Sequence, residues 1–131
     1  MAGNNKNVCV IDSSYLLAYL LPDETNPQVQ ETFELYKAGS IRLISSPLLS
    51  FEVSNGMYAA TLSKRISRIS AKKLVESFLK LPITYEAVDT LQALELSFKY
   101  KISVYDASYL LLARQKNIPL LTLDKQLKKL R

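Results

Sequence analysis

Hydrophobic residues along the chain form short runs separated by polar and turn-forming residues. Short runs rich in β-branched residues predict strands at Val8–Ile11, Arg42–Ser45, Ile83–Tyr85 and Ile118–Thr122. Segments with helical spacing lie between these runs and predict helices over residues 14–20, 27–37, 47–62, 70–80, 86–100 and 104–115, with a last short helix starting at Asp124. The segment 109–113 is so apolar that the helix carrying it must be nearly buried.

The order of these elements indicates the fold class. Strands alternate with one or two helices, and no hairpin signal such as Asn-Gly stands between two strands, which favours a parallel sheet covered on both faces. We therefore expect an α/β fold, a three-layer α/β/α arrangement around a short parallel sheet of four to five strands. The 131 residues fit a single domain over residues 1–131.

Composition narrows the setting. The 48% apolar and 22% charged fractions are ordinary for a soluble globular protein. The first apolar stretch, residues 15–21, is too short for a membrane span and lacks the flanks of a signal peptide. The single cysteine, Cys9, cannot form an internal disulfide. These features predict a cytoplasmic protein without a membrane partner.

The charged and polar residues exclude several chemistries. The chain has no histidine, which removes histidine-based acid–base catalysis, Ser/His and Cys/His nucleophile pairs and nearly all zinc sites. Seventeen basic against twelve acidic residues give a formal charge of +5, and five basic residues cluster within 64–73. Such a cluster is either a solvated helix face or a surface for a phosphate-rich partner.

Four acidic residues, Asp12, Glu52, Asp106 and Asp124, stand where a residue chosen only for folding is more often apolar or small. Asp12 follows the first strand and Asp124 the last, so the two share one crevice if those strands are neighbours. Helix capping is the alternative for both, and Ser103 with Asp106 matches a capping box.

Glu52 is harder to explain by capping. In a helix that begins at Pro47 it is about the sixth residue, and Leu48 and Gly56 place it on the inward face. No basic residue lies one turn away to pair with it, although Asn55 is placed to hydrogen-bond to it. Gly56, which costs about 1 kcal/mol relative to alanine in a helix, predicts a close approach to the backbone there.

Convergence of the four acids would require a cation. Two like charges about 4 Å apart repel by roughly 4 kcal/mol at an effective dielectric constant of about 20. A divalent ion removes this repulsion, and oxygen-only ligands favour Mg²⁺ or Mn²⁺.

These motifs, in this order and spacing, resemble those of PIN-domain ribonucleases, and among them the VapC-type toxins of toxin–antitoxin pairs. The matching segments are a strand followed by Asp12-Ser13-Ser14, then Glu52-x-x-Asn55, Asp106-Ala107-Ser108-Tyr109 and Thr122-x-Asp124. The resemblance implies that Asp12, Glu52, Asp106 and Asp124 are both the catalytic and the metal-binding residues. It also implies that Ser13, Asn55 and Thr122 orient the carboxylates.

The same resemblance implies a Mg²⁺- or Mn²⁺-dependent endoribonuclease that leaves 5′-phosphate and 3′-hydroxyl ends on RNA. The apolar residues of the helices over 14–20 and 47–80 predict a homodimer surface or a groove for an antitoxin protein. Family members often add a final edge strand, so with the chain ending at Arg131 the sheet is one strand short or its edge is completed by a partner.

Two other classes stay open at this stage. One is a PIN-fold RNA- or protein-binding module with weak or no catalysis. The other is a response-regulator-like domain, for which Lys125 supplies a lysine after the last strand but Asp12 lacks its paired acid. Three tyrosines, Tyr58, Tyr105 and Tyr109, either stack on RNA bases or, as is more common in apolar helices, lie in the core with a tethered hydroxyl.

Overall fold

A four-stranded parallel sheet lies at the centre of the computed structural model, which describes residues 7–131. Its strands are β1 (Asn7–Ile11), β2 (Ile41–Ser45), β3 (Thr84–Tyr85) and β4 (Leu120–Leu121), in the order β3-β2-β1-β4. Every pairing is parallel, as the alternation of strands and helices predicted.

The helices flank the sheet in two groups. They are α1 (Ser13–Leu20), α2 (Pro27–Lys37), α3 (Leu49–Leu62), α4 (Arg68–Leu79), α5 (Thr90–Tyr100), α6 (Val104–Lys116) and α7 (Lys125–Leu130). In one group α6 packs against β1 and β4 and contacts α5 and α7; in the other, α2 packs on β2, α1 contacts α2 and α3, and α3 contacts α4. The predicted α/β fold with a parallel sheet flanked by helices is confirmed.

Strand order places a crevice at the carboxyl end of β1. From β1 the chain builds β2 and then β3 on one side of β1, and β4 afterwards pairs with the other side of β1. The strand order therefore reverses between β1 and β4. Ile11 pairs with Leu121, which brings the residues after these two strands side by side. This is the position where open parallel sheets bind their ligands.

Helix α6 is the most buried helix of the described chain. All seven residues from Ala107 to Ala113 are buried, as the apolar sequence predicted. Tyr109 and Leu110 are fully enclosed and pack in the same core as Ile11 of β1 and Leu120 of β4. The start of α6 is therefore held rigidly at the end of the sheet.

Three helix starts were predicted wrongly. Helix α3 begins at Leu49 rather than Pro47, because Pro47 lies in a turn in which the Ser46 hydroxyl accepts the Leu48 N–H at 3.3 Å. Glu52 is consequently in the first turn of α3, and the expectation that it lay beyond capping reach was wrong.

Helices α4 and α5 also start elsewhere. Ser67, not Ser70, caps α4 and accepts the Ser70 N–H at 3.1 Å. The segment after β3 stays extended because the Glu86 N–H donates to the Ser45 carbonyl of β2, so α5 starts only at Thr90, capped by Asp89.

Gly56 lies where α1 crosses α3. A Cβ atom at this position would overlap the side chain of Leu17, so the close approach predicted for Gly56 is made by a neighbouring helix. Within residues 7–131, none of the helices combines the length and apolar character needed to cross a membrane.

Candidate metal centre

Four helices begin at the carboxyl edge of the sheet, and each carries one of the four acids. Asp12 and Asp124 are the N-caps of α1 and α7, while Glu52 and Asp106 lie in the first turns of α3 and α6. The positive end of a helix dipole stabilises a carboxylate by about 0.3–1 kcal/mol. The positive end of its own helix therefore partly offsets the repulsion that each acid receives from the others.

Asp12 is 2% exposed and sits directly beyond β1. Its carboxylate accepts the Tyr15 N–H at 3.0 Å and the Ser14 hydroxyl at 2.7 Å. Burial raises the pKa of Asp12, hydrogen bonds from Thr122, Ser14 and the Tyr15 backbone oppose that rise, and repulsion from Asp124 adds to it. Asp12 does cap α1, and its carboxylate is also close enough to Asp124 to be repelled by it.

Glu52 does not cap its own helix. Its carboxylate accepts a hydrogen bond from the buried hydroxyl of Tyr109 on α6, and the nearby hydroxyl of Ser13 on α1 also favours its charged form. Burial raises the pKa of Glu52, and repulsion from Asp12 raises it further. Asn55, which was expected to steady Glu52, is exposed on the next turn, and Glu52 accepts its hydrogen bond from Tyr109 instead.

Asp106 has the largest resolved pKa shift among the four acids. Burial, followed by repulsion from Asp124, Glu52 and Asp12, raises its pKa to about 6. Its N–H donates to the capping hydroxyl of Ser103 at 3.0 Å, as the capping box predicted. Because Asp106 is repelled by all three other acids, the four carboxylates share one electrostatic site.

Asp124 is joined to the same site through Thr122. The Asp124 N–H donates to the Thr122 hydroxyl at 3.0 Å, and the Asp124 carboxylate accepts the Leu127 N–H at 2.9 Å. Thr122 is 1% exposed, and its hydroxyl lies close enough to Asp12 to oppose the rise in the pKa of that residue. It therefore links the acid after β1 to the acid after β4.

The sequence did not predict the contacts that two residues make in this site. Ser14 binds Asp12 and also accepts the Leu123 N–H at 2.9 Å, which fastens α1 to the segment after β4. Tyr109 was expected in the core with a tethered hydroxyl, but its partner was not identified. The available signal was spacing, because Tyr109 follows Asp106 by three residues and so lies on the same side of α6.

The donor atoms suit a hard divalent cation, since carboxylate and hydroxyl oxygens surround the site and the chain contains no histidine. In the described part of the chain, no group of three or more acidic or cysteine side chains is close enough together to hold a metal ion as it stands. The oxygen atoms of these side chains fit the ligand chemistry of Mg²⁺ or Mn²⁺.

The basic cluster of residues 64–73 lies at the opposite end of α3. Leu62, the last residue of α3, lies ten positions after Glu52, which is about 15 Å along the helix axis, and Lys64 follows beyond it. Lys64, Arg65, Arg68 and Lys72 line a groove of about 990 Å³ between α3 and α4. Arg65 is paired with Asp23 at 2.8 Å. These basic residues therefore form a separate surface.

The parallel sheet with flanking helices and a crevice between β1 and β4 defines an α/β domain of the PIN type. The chain belongs to the PIN domain family, whose model matches residues 9–131. It is a distant homologue of the VapC ribonuclease toxins, being 28% identical over 122 residues to Ribonuclease VapC3 of Pyrobaculum aerophilum, with 90% of each chain covered.

Two crystal structures share the fold. PAE2754 from Pyrobaculum aerophilum superposes with a TM-score of 0.74 at 17% identity, over 95% of this chain and 84% of that one. VapC20 of Mycobacterium tuberculosis, a toxin that cleaves the sarcin–ricin loop, gives a TM-score of 0.65 at 17% identity, over 92% and 93%.

Proposed function

We propose that this protein is a Mg²⁺- or Mn²⁺-dependent endoribonuclease and the toxin of a toxin–antitoxin pair, acting in the cytoplasm as a single PIN domain over residues 1–131. The observation that carries the proposal is the electrostatic coupling of Asp12, Glu52, Asp106 and Asp124 at the switch point of the sheet. Membership of the PIN family and the distant likeness to VapC ribonucleases support it.

The four carboxylates would hold the ion, with Ser13, Asn55 and Thr122 as the orienting residues that the family pattern suggests. When bound, the ion polarises a phosphoryl oxygen, lowers the pKa of a water and offsets negative charge on the transition state. Ser14 and Thr122 fix the carboxylate of Asp12, while Tyr109 and Ser13 fix that of Glu52. Such outer hydrogen bonds keep ligands in orientations that a metal can use.

The test is cleavage of labelled single-stranded RNA by the purified protein in Mn²⁺, in Mg²⁺ and in EDTA. Wild-type protein should cut in either metal and not in EDTA, and Asp12→Asn should lower the rate by about 10²-fold or more. Asp89→Asn is the matched control, because Asp89 is an aspartate N-cap on α5 that is not coupled to the four acids. It should cut like wild type.

The same purified protein also tests the alternative, a PIN-fold binding module without catalysis. If a panel of structured and unstructured RNAs stays intact in Mn²⁺, and Mn²⁺ does not raise the melting temperature Tm, the protein is a PIN-fold binding module. A ligand at 100 times its Kd stabilises a protein by about 2.7 kcal/mol. For a chain of this size that corresponds to a Tm increase of roughly 5–12 °C.

The groove between α3 and α4 supports the antitoxin part of the proposal. Met57, Ile66 and Val75 supply apolar lining, and Tyr58 and Leu62 of α3 are exposed beside them. Basic residues at its rim suit an amphipathic segment that carries acidic side chains. An antitoxin bound there would cover apolar surface that is otherwise exposed to water.

Purification of the tagged protein from its own host tests this partner. A co-purifying polypeptide that inhibits RNA cleavage should be lost from Leu62→Glu. It should be retained by Leu79→Glu, which changes an equally exposed leucine outside the groove. Retention by both variants would place the partner elsewhere.

The homodimer is proposed on a different surface. Leu91 and Phe98 on α5 are 72% and 69% exposed, and their spacing of seven residues places them on one face of the helix. Analytical ultracentrifugation should show a dimer that Phe98→Ser converts to monomer. An unchanged sedimentation coefficient in this variant would exclude the α5 face.

A further inference from the structure

A hollow of about 480 Å³ opens beside the acidic site and is not explained by metal binding. It is lined by the starts of three helices, with Ser13 from α1, Leu48, Phe51, Glu52, Asn55 and Gly56 from α3, and Tyr105 from α6. Because Ser13 and Glu52 belong to both, the hollow is continuous with the site of the four carboxylates. Its volume falls in the range of small-ligand pockets, about 300–1,000 Å³.

Two solvent-exposed aromatic side chains line this hollow. Phe51 is 77% exposed and Tyr105 is 57% exposed. Neither contributes to the core, and each lies one residue before an acid of the site, Glu52 or Asp106. Because both rings line the same hollow, they form a contiguous exposed aromatic surface next to the acids rather than isolated surface residues.

The hollow also contains a polar side chain that can form hydrogen bonds with a ligand. Asn55 is exposed, and its amide offers both donors and an acceptor on the same face of α3 as Phe51, four residues away. A planar ligand with hydrogen-bonding edges matches aromatic rings with an amide beside them. Nucleobases have this chemistry, and their stacking on aromatic side chains accepts any base.

We propose that Phe51 and Tyr105 form a stacking site for one unpaired nucleobase of the RNA, with Asn55 at the edge of that base, and that this base lies next to the phosphodiester held at the four acids. The inference rests on the proposed function for the identity of the polymer. It assigns to the exposed rings a positioning role, because a stacked base fixes the adjacent phosphate relative to Glu52 and Asp106.

The stacking site makes the enzyme specific for single strands. A base in a duplex is already stacked on both faces and is unavailable to the rings, whereas a loop or single strand presents free faces. Stacking on one aromatic side chain contributes about 1–3 kcal/mol per base, so removing Phe51 should weaken binding by roughly 5- to 150-fold. Removing Tyr105 should weaken it by a comparable factor.

The experiment measures binding of a short single-stranded RNA carrying 2-aminopurine, whose fluorescence falls when the base stacks. Asp106→Asn protein serves as the background, so that the RNA stays intact whether or not the wild type cleaves. Fluorescence should be quenched at one nucleotide position, and Phe51→Ala should reduce both the quenching and the affinity. Phe51→Trp should restore them, whereas Phe51→Leu should not, because apolar area without a π face is insufficient.

An abasic RNA distinguishes stacking from an indirect effect. Removing the base at the quenched position should weaken binding to the Phe51-containing protein and should have no further effect on Phe51→Ala. Tyr85→Ala is the matched control, since Tyr85 is an exposed aromatic residue on β3 that does not line the hollow. It should leave quenching and affinity unchanged.

Several outcomes overturn the proposal without touching the nuclease. Metal-dependent cleavage with unchanged KM and affinity in Phe51→Ala and Tyr105→Ala would exclude a stacking role. Conversion of a dimer to a monomer by these variants, with affinity per site unchanged, would show that the rings form a subunit contact instead. Conversely, position-specific quenching in a protein that never cleaves RNA would keep the stacking site and reject the catalytic function.

Discussion

At the scale of single residues, the buried hydroxyl of Tyr109 determines the orientation of Glu52. Glu52 is half-buried and repelled by Asp12, and Tyr109 donates to its carboxylate from the core of α6. Without that donor the carboxylate would lose a hydrogen bond and gain freedom to turn away from the other acids. If Glu52 binds the proposed metal ion, Tyr109 acts on that ion through its ligand rather than by touching it.

Tyr109→Phe should separate this role from simple stability. We expect metal affinity or cleavage rate to fall by about 10- to 100-fold, the usual loss when a partner of a metal ligand is removed. The unfolding free energy should fall by about 1 kcal/mol. Tyr15→Phe is the control, because Tyr15 is equally buried and its hydroxyl lies 2.6 Å from that of Thr32, on α2. It should cost similar stability and leave Mn²⁺ affinity unchanged in calorimetric titration.

At the scale of helices and strands, the aspartates at the starts of α1 and α7 each cap a helix and also contribute a charge to the acidic site. Asp124 satisfies the Leu127 N–H of α7 and also repels Asp106 and Asp12. Asparagine caps helices as well as aspartate does, whereas alanine does not. Substitution at this position can therefore remove the charge with or without the cap.

Asp124→Asn should hold Tm at or above the wild-type value in EDTA, because the cap remains and a repelling charge is gone. Asp124→Ala should lose about 1 kcal/mol, and both variants should lose metal-dependent cleavage. On α5, Asp89→Ala should lose similar stability and cleave normally, since that cap is not coupled to the acids. Thermal unfolding and RNA cleavage on the same samples provide the comparison. Normal cleavage by Asp124→Asn would remove Asp124 from the metal centre.

The boundaries of these elements show what local sequence can and cannot predict. The strands, the buried α6 and the cap at Ser103 were predicted from apolar period and capping chemistry. The start of α3 was not, because Ser46-Pro47 has the chemistry of a cap while Leu48, which lacks a capping side chain, occupies the position. The delayed start of α5 was missed because a contact between Glu86 and β2 holds the chain extended.

At the scale of the whole molecule, the acids couple folding to pH and, under the proposed function, to metal binding. The sequence singled out the four acids and made a shared crevice for Asp12 and Asp124 conditional on the first and last strands being neighbours, and β1 and β4 are indeed paired. The bridging roles of Ser14 and Thr122 depend on the register between β1 and β4, which no local pattern contains. Burial of the group then raises the pKa of Asp106 to about 6.

Metal-free protein should lose stability as pH rises from 5 to 7.5. The pKa of Asp106 is higher in the folded state than the unfolded value of about 3.9. The folded state therefore binds more protons between these values, and the stabilisation from protonation is lost as pH passes through about 6. We expect a fall in Tm of about 2–5 °C in EDTA.

Asp106→Asn should flatten this pH profile and raise Tm at pH 7.5 in EDTA, because the buried charge is absent. Saturating Mg²⁺ should stabilise the wild type most at the higher pH, where the carboxylates are ionised and bind the cation. A profile in EDTA that rises with pH in the wild type would contradict the assigned direction. Differential scanning fluorimetry across this range is sufficient.

The hydrogen bond from the Leu123 N–H to Ser14 joins positions 109 residues apart in the sequence. Asp106 and Asp124 follow Asp12 by 94 and 112 residues, so a growing polypeptide on the ribosome has no assembled set of carboxylates until Asp124 has been made. If the finished protein cleaves RNA, a chain that is still being synthesised cannot do so before that point.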